Sequence, residues 1–198
     1  MWNDRFADEG YLFGKEPSAF LLRARPWLRP GQSALSVADG EGRNSVWLAQ
    51  QGLRVTAMDS APNAITKARA LAAERGVTVD FRLGDITTWD WDAAQYDVVV
   101  AIFIQFAGPA LRERIFDGLN RALKPGGLLL LHGYAPRQVE YGTGGPPRRE
   151  NMYTTDMLRR AFGGYEFHRL ADFDAEVSEG QGHSGLSALI DLIATKPA

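Results

Sequence analysis

Three groups of residues in this 198-residue chain have the types and spacing to do chemistry. The first is Ala38-Asp39-Gly40-Glu41-Gly42-Arg43-Asn44, a glycine pair with a cation and an amide directly after it. Glycines at a turn let the backbone reach a ligand with no Cβ in the way, and free amides at the start of a following helix favour a polar or anionic group. The second group is two acids, Asp59 followed by Ser60 and Asp85 followed by Ile86. A carboxylate about 20 residues beyond such glycines can accept hydrogen bonds from both ribose hydroxyls. One at Asp85 can accept from an adenine amino group while Ile86 packs on the ring. The third group is dispersed: His132 and His183 can take a proton, and Arg43, Arg137, Arg148 and Arg149 can present paired donors to an oxyanion. Plainer readings stand beside each. Two glycines can serve turn geometry alone, Asp59 can cap a helix although Ser60 is at least as well placed to do so, and a Gly-Asp pair is a common turn. Arg148 and Arg149 read as solvated surface.

The hydrophobic pattern supplies the elements that must position these residues. Leu35, Val37 and Ala38 are an apolar strand leading into the glycine turn, and residues 45–51 continue as a helix. A second strand over 53–59 carries Asp59 at its carboxyl end, and Pro62 opens a helix reaching Arg75. Residues 77–84 alternate with period two, a third strand ending at Gly84-Asp85-Ile86, and 87–94 is a Trp-bearing linker. The nearly continuous apolar run 96–102 reads as a central strand buried on both faces, and the apolar Phe103-Ile104-Gln105-Phe106 beyond it suggests a pocket wall. A helix from Pro109 to Leu123 turns through Lys124-Pro125-Gly126-Gly127 into a fifth strand over 128–134 that carries His132. Residues 135–151, with Tyr141 and the Gly- and Pro-rich 142–150, read as a long loop with no helix or strand. A helix over 154–162 and strands over 165–173 and 186–196 finish the chain, the strands pairing antiparallel at one edge. Near the N-terminus a helix is expected over 18–27 with Pro17 at its start, and Tyr11, Phe13 and Gly14 read as a lid over a ligand, with anchoring of this aromatic-rich segment onto the core as the plainer alternative.

Composition removes several function classes. Net charge is −2 and the basic residues are scattered, so the broad positive footprint of a nucleic-acid binder is missing. No apolar run approaches the roughly 20 residues needed to span a bilayer, and no basic-then-apolar leader pattern opens the chain, so a cytoplasmic, membrane-free protein is expected. Cysteine is absent, which removes disulfides, thiolate metal sites, a thiol nucleophile and cysteine-ligated iron–sulfur clusters. The three histidines, at 132, 168 and 183, have no metal-site spacing, and no metal is expected.

Five alternating strand and helix steps closed by an antiparallel pair, with Leu35–Gly42, Asp59, Gly84-Asp85-Ile86 and Leu123–Gly127 in that order, resemble the class I S-adenosylmethionine-dependent methyltransferases. The segments 2–6, 11–17, 40–44, 141–146 and 179–185 are similar to those of the small bacterial tellurite-resistance and thiopurine types. The resemblance implies an α/β fold, a Rossmann-like seven-stranded and mostly parallel sheet with one antiparallel strand and helices on both faces. One domain is expected: 1–30 as N-terminal lid and helix, 31–134 as cofactor-binding core, 135–153 as substrate-side loop, and 154–198 as C-terminal helix and strand pair. It further implies that the turn, Ala38 to Asn44, holds the methionine part of the cofactor, Asp59 and Ser60 the ribose, Asp85 and Ile86 the adenine, and Ile102 with Phe103 the wall beside the sulfonium. Tyr11, Phe13, Arg43, Phe106, His132, Tyr141 and His183 are the expected acceptor-side residues. In that family an acid is usual where this chain has Ser36, and glycine where it has Ala38, with Asp39 placed to substitute electrostatically.

Methyl transfer from a sulfonium needs alignment and exclusion of water, not a covalent enzyme residue. A thiolate or reduced chalcogen oxyanion needs no base, whereas a protonated oxygen or nitrogen acceptor needs one, with His132 and His183 the choices. The expected partner is a small-molecule methyl acceptor, on a monomer or homodimer. Two alternatives fit parts of the pattern: a nicotinamide-dependent oxidoreductase, since Gly40-x-Gly42 with Asp59 downstream also suits a dinucleotide, and a non-enzymatic cofactor-binding protein, given Ser36 and Ala38. A nucleic-acid methyltransferase is disfavoured by charge and by the lack of an Asn- or Asp-Pro-Pro sequence after residue 102.

Overall fold

A computed structural model of the chain describes residues 2–91 and 93–198. Residue 92, in the 87–94 linker, lies outside the described residues. Seven strands form one sheet in the order β3-β2-β1-β4-β5-β7-β6. They are β1 (Ser33–Val37), β2 (Arg54–Asp59), β3 (Asp80–Leu83), β4 (Tyr96–Ile102), β5 (Leu123–Tyr134), β6 (Glu166–Glu179) and β7 (His183–Thr195). Pairing is parallel for β1 with β2, β2 with β3 and β4 with β5, and antiparallel for β5 with β7. The helices are α1 (Trp2–Arg5), α2 (Ala19–Ala24), α3 (Arg43–Gln50), α4 (Pro62–Glu74), α5 (Pro109–Ala122), α6 (Gln138–Tyr141) and α7 (Thr155–Ala161). The chain divides into two compact units, the residues up to Asp90 together with Glu179–Gly182, and Trp91–Ser178 together with His183–Ala198.

In the first unit, α3 and α4 alternate with β1, β2 and β3. A buried cluster of Val46, Ala57, Ile65, Ala68, Leu71, Ala72 and Phe81 joins the helices to the strands. Such burial removes apolar surface from water at roughly 25 cal/mol per Å² and holds β2 and β3 against α3 and α4. β3 is shorter than the alternating pattern suggests, because Val77 donates to the Ala72 carbonyl and so finishes α4 before the strand begins. The expected 18–27 helix is split: Ser18 caps α2 by accepting from the Phe20 amide, and Pro26, which has no N–H, turns residues Arg25–Trp27 into a 3-10 turn.

In the second unit, β4 is buried along almost its whole length, as its apolar run implies. Lys124-Pro125-Gly126-Gly127 is an irregularity inside β5 and not a turn before it: Tyr96 faces Leu123, and pairing resumes with Val98 opposite Leu128. The 135–151 segment is not structureless, since it holds α6 and a 3-10 turn at Arg149–Asn151. Gln138 organises it, its buried amide accepting from Ala188 N (2.7 Å) and donating to Thr143 Oγ1 and Gly144 O. The final hairpin is longer than expected. Asp172, Asp174 and Glu176 alternate outward along β6, a pattern that continues the strand to Glu179.

Candidate functional site

The glycine turn is built by crossed contacts between β1 and β2. Asp39 N donates to Met58 O, and Gly40 N donates to the Asp59 carboxylate at 2.8 Å. The two glycines differ. At Gly42, with φ +89°, a Cβ would lie 2.7 Å from the Ala68 Cβ, so this position serves the close approach of α3 to α4. At Gly40, with φ +64°, the nearest atom to an added Cβ is a Phe6 ring carbon at 3.7 Å, so conformation and not crowding demands the glycine. Ala38 takes φ +47°, a left-handed backbone that an L side chain adopts at some strain.

Three charged side chains leave this turn in different circumstances. Asp39 accepts from Ser36 Oγ at 2.7 Å and Ser45 Oγ at 2.5 Å, and no cation pairs with it among the described residues. Desolvation pushes its carboxyl up to about 6; the two hydroxyls oppose that shift and the nearby Asp59 charge adds to it. Arg43 is buried, with Nη2 on Glu179 Oε2 at 2.7 Å and Nη1 without a hydrogen-bond partner. Glu41 is likewise buried, but its oxygens are engaged by Leu12 N (2.8 Å) and Lys67 Nζ (2.9 Å), so its carboxylate fixes the N-terminal segment. Asn44 does the same through Oδ1, which accepts from Ser18 N.

Asp59 sits at the end of β2, buried, with Oδ1 accepting from Ala61 N and Oδ2 from Gly40 N. Burial raises its pKa while those amides hold it down. Ser60 is exposed and does not cap α4, whose N-cap is Ala61 with no side-chain bond. Asp85 is exposed and forms the expected turn, accepting from Thr87 N at 2.8 Å, which lowers its pKa. Ile86 is buried beside it. Tyr11 donates to Lys67 O and packs on the first unit's core, and Phe13 packs with Phe6, Ala61 and Ala64 and lies 6.0 Å from the Arg43 guanidinium carbon. Both aromatics therefore anchor the N-terminal segment.

The second unit gathers a different set. Ile102 ends β4 opposite His132 of β5, and Phe103, with φ +55°, turns its ring onto the His183 imidazole (centroids 4.0 Å apart) and against His132 and Tyr134 (4.8 Å each). His132 Nδ1 lies 2.8 Å from Asp191 Oδ1, and Asp191 Oδ2 accepts from Arg169 Nε at 2.7 Å. Tyr134 Oη lies 2.7 Å from His183 Nδ1. Gln105 holds this end of β5 by bonding both the amide and the carbonyl of Tyr134. Phe106 is exposed. Tyr141 donates to Asp174, Arg137 pairs with Asp172 and Asp174, and Arg149 pairs with Glu140, so these side chains are already paired.

Reading the sequence missed Glu179 and Asp191. Asp191 had a signal, as the one acid in the apolar run 186–195, and Glu179 had one as the first residue of the 179–185 segment that carries the family resemblance. Among the described residues no helix is long and apolar enough to cross a membrane, and no group of three or more His, Cys, Asp or Glu is placed to hold a metal.

Residues 34–127 match the methyltransferase domain model. An uncharacterized methyltransferase of Synechocystis is 29% identical over 109 residues, which cover 52% of this chain and 48% of that protein. The chain thus spans about half the length of this curated relative. Among solved structures, TehB of Haemophilus influenzae superposes with a TM-score of 0.72 at 19% identity, over 89% of this chain and 61% of that one. A methyltransferase of Methanosarcina mazei gives 0.72 at 20% identity, over 88% and 97%. At these identities the two structures establish the fold.

Proposed function

We propose that the chain, whose residues 34–127 match the methyltransferase domain model, moves the methyl group of S-adenosylmethionine to a small-molecule acceptor by in-line displacement. The observation that carries this reading is the buried Nη1 of Arg43, a guanidinium nitrogen with no protein partner at the start of α3. Leaving such a donor unsatisfied costs about 1–3 kcal/mol, which an anionic ligand group would offset. The methionine carboxylate meets that need, helped by the α3 amides. Asp39 complements it as an unneutralised carboxylate for the methionine ammonium. Its Oδ1 sits 2.7 Å from Ser36 Oγ, so the acid displaced from position 36 is restored three residues later, by a side chain reaching back. Asp59 retains lone pairs for the ribose hydroxyls, since a carboxylate offers about four acceptor sites and the backbone takes two. Asp85 and Ile86 take the adenine.

The same charges argue against a nicotinamide dinucleotide. Its pyrophosphate would meet Asp39 beside Asp59, two acids with which no cation pairs among the described residues. Stabilisation by NADH and not by S-adenosylmethionine in a thermal-shift assay would reverse this choice.

When bound, the cofactor supplies an electrophilic methyl group on a sulfonium. The protein's part is to hold it, exclude water and receive any proton the acceptor loses. Ile102 and Phe103 are assigned the wall beside the sulfonium. His132, oriented by Asp191, is assigned proton acceptance from an oxygen or nitrogen acceptor; a thiolate or chalcogen oxyanion would leave it idle. Calorimetry with S-adenosylmethionine and S-adenosylhomocysteine tests the cofactor assignment: the unmutated protein binds both, and Asp59→Ala loses roughly tenfold or more. Binding without turnover across tellurite, selenite, thiol, phenol and amine acceptors would instead favour a non-enzymatic cofactor-binding protein.

A further inference from the structure

We propose that Glu179 is a positioning residue for the anionic end of the ligand: it engages one nitrogen of Arg43 so that the other faces a carboxylate, and it couples that contact to the docking of residues 12–19. The proposal rests on the cofactor reading above. Arg43 and Glu179 are 136 positions apart and meet at 2.7 Å, with side chains only 7% and 11% exposed. An arginine and a carboxylate this close ordinarily pair through two parallel bonds. Here they cannot, because Glu179 divides its oxygens. Oε2 takes Arg43 Nη2, while Oε1 accepts from Ala19 N at 2.9 Å and Ser18 Oγ at 3.2 Å. The division leaves Arg43 Nη1 buried and unbonded, held in one orientation by a neighbour that does not use it.

The hairpin tip that delivers Glu179 is seated with little tolerance. Gly182 N donates to Leu12 O at 3.1 Å. A Cβ on Gly180 would lie 2.5 Å from Leu12 O, and one on Gly182 would run into the Phe13 ring. Ser18 N closes the circuit by donating to Asn44 Oδ1, next to Arg43 on α3. The start of α3, the hairpin tip and residues 12–19 thus share one set of bonds. A carboxylate on Nη1 fixes the guanidinium, and through Glu179 it fixes the N-terminal segment. Glu41 and Lys67 tether that segment at Gly10 and Leu12, but neither touches Arg43 in these bonds.

The test compares S-adenosylhomocysteine with 5′-methylthioadenosine, which keeps the nucleoside thioether and lacks the amino-acid carboxylate. Calorimetry is run on the unmutated protein, on Glu179→Gln, and on Gly182→Ala, which disturbs the hairpin seat without touching Arg43. Both variants are expected to bind S-adenosylhomocysteine about tenfold more weakly, the size of one charge-assisted hydrogen bond, while 5′-methylthioadenosine affinity stays unchanged. In hydrogen exchange, S-adenosylhomocysteine slows the amides of residues 12–19 in the unmutated protein and not in Glu179→Gln. Equal losses for both compounds would mean general structural damage, and unchanged S-adenosylhomocysteine affinity in Glu179→Gln would mean that Arg43 needs no such partner; either overturns the proposal. An unmutated protein that binds 5′-methylthioadenosine as tightly as S-adenosylhomocysteine also overturns it, since no carboxylate contact then exists. If the unmutated protein binds neither compound, the cofactor reading itself falls and the role of Glu179 with it.

Discussion

The glycine turn of the first unit and the aromatic cluster of the second treat their polar groups in opposite ways. At the turn, Asp39 is held by two hydroxyls with no counter-charge among the described residues, and Arg43 keeps a buried nitrogen unbonded. In the cluster, His132 is bonded to Asp191, Asp191 to Arg169, Tyr134 to His183, and the Tyr134 backbone to Gln105. A buried polar group without a partner is costly and a satisfied network is rigid. The first arrangement suits a charged ligand that brings its own partners, and the second suits a fixed surface with an oriented imidazole.

That contrast can be broken most forcefully in the second unit. Asp191 is completely buried between a histidine and an arginine. Asp191→Asn should lower unfolding free energy by about 3 kcal/mol, as expected when a buried pair loses one charge, while S-adenosylhomocysteine affinity stays the same. Urea denaturation and calorimetry on one preparation would separate the two effects. A lost affinity would mean the cluster is not self-contained.

At the turn the ligand is the main reporter. Arg43→Gln should weaken S-adenosylhomocysteine binding roughly a hundredfold, and it should also lower stability, because it removes the buried Nη2 bond to Glu179 along with the unbonded Nη1. Affinity that survives the change would remove the ligand-facing role of the turn.

The pH dependence sharpens the comparison further. A carboxyl held up to about 6 is protonated in the folded protein at pH values where an unfolded aspartate is ionised. Its penalty on folding is therefore absent below the ordinary aspartate range and grows as pH rises through about 6. An ammonium ligand binds the ionised form, so S-adenosylmethionine affinity should fall about tenfold between pH 7 and 5, and Asp39→Asn should flatten that profile while raising stability at pH 8 by at most about 3 kcal/mol. A flat profile in the unmutated protein would exclude Asp39 from the ammonium contact. The smallest expected effect is at Ala38: Ala38→Gly relieves the φ of +47° and, after the entropy glycine adds to the unfolded chain, should gain about 0.5 kcal/mol in thermal or urea unfolding.

Much of this was legible before any coordinates. The apolar run ending at Val37, the glycines at 40 and 42, and the acid ending the next strand at Asp59 are local patterns, and each formed where its period put it. Local reading failed in two ways. Pro26 divided a helix and Val77 bonded back to α4, both local effects, whereas Lys124–Gly127 became a break within β5 because β4 lay beside it. Tyr11 and Glu41 have the chemistry of ligand contacts, yet their polar atoms are taken up by Lys67 and Leu12.

The sequence by itself determined the strand-turn-helix that holds the candidate site and the acids at its strand ends, because periods of 2 and 3.6 residues and the φ freedom of glycine act over a few positions. Tertiary structure alone decided who partners whom. Register set His132 opposite Asp191 across β5 and β7, and hairpin docking carried Glu179 to Arg43. Such pairings depend on where distant elements pack, and a buried charge reveals its state only when the partner it has, or lacks, is in place.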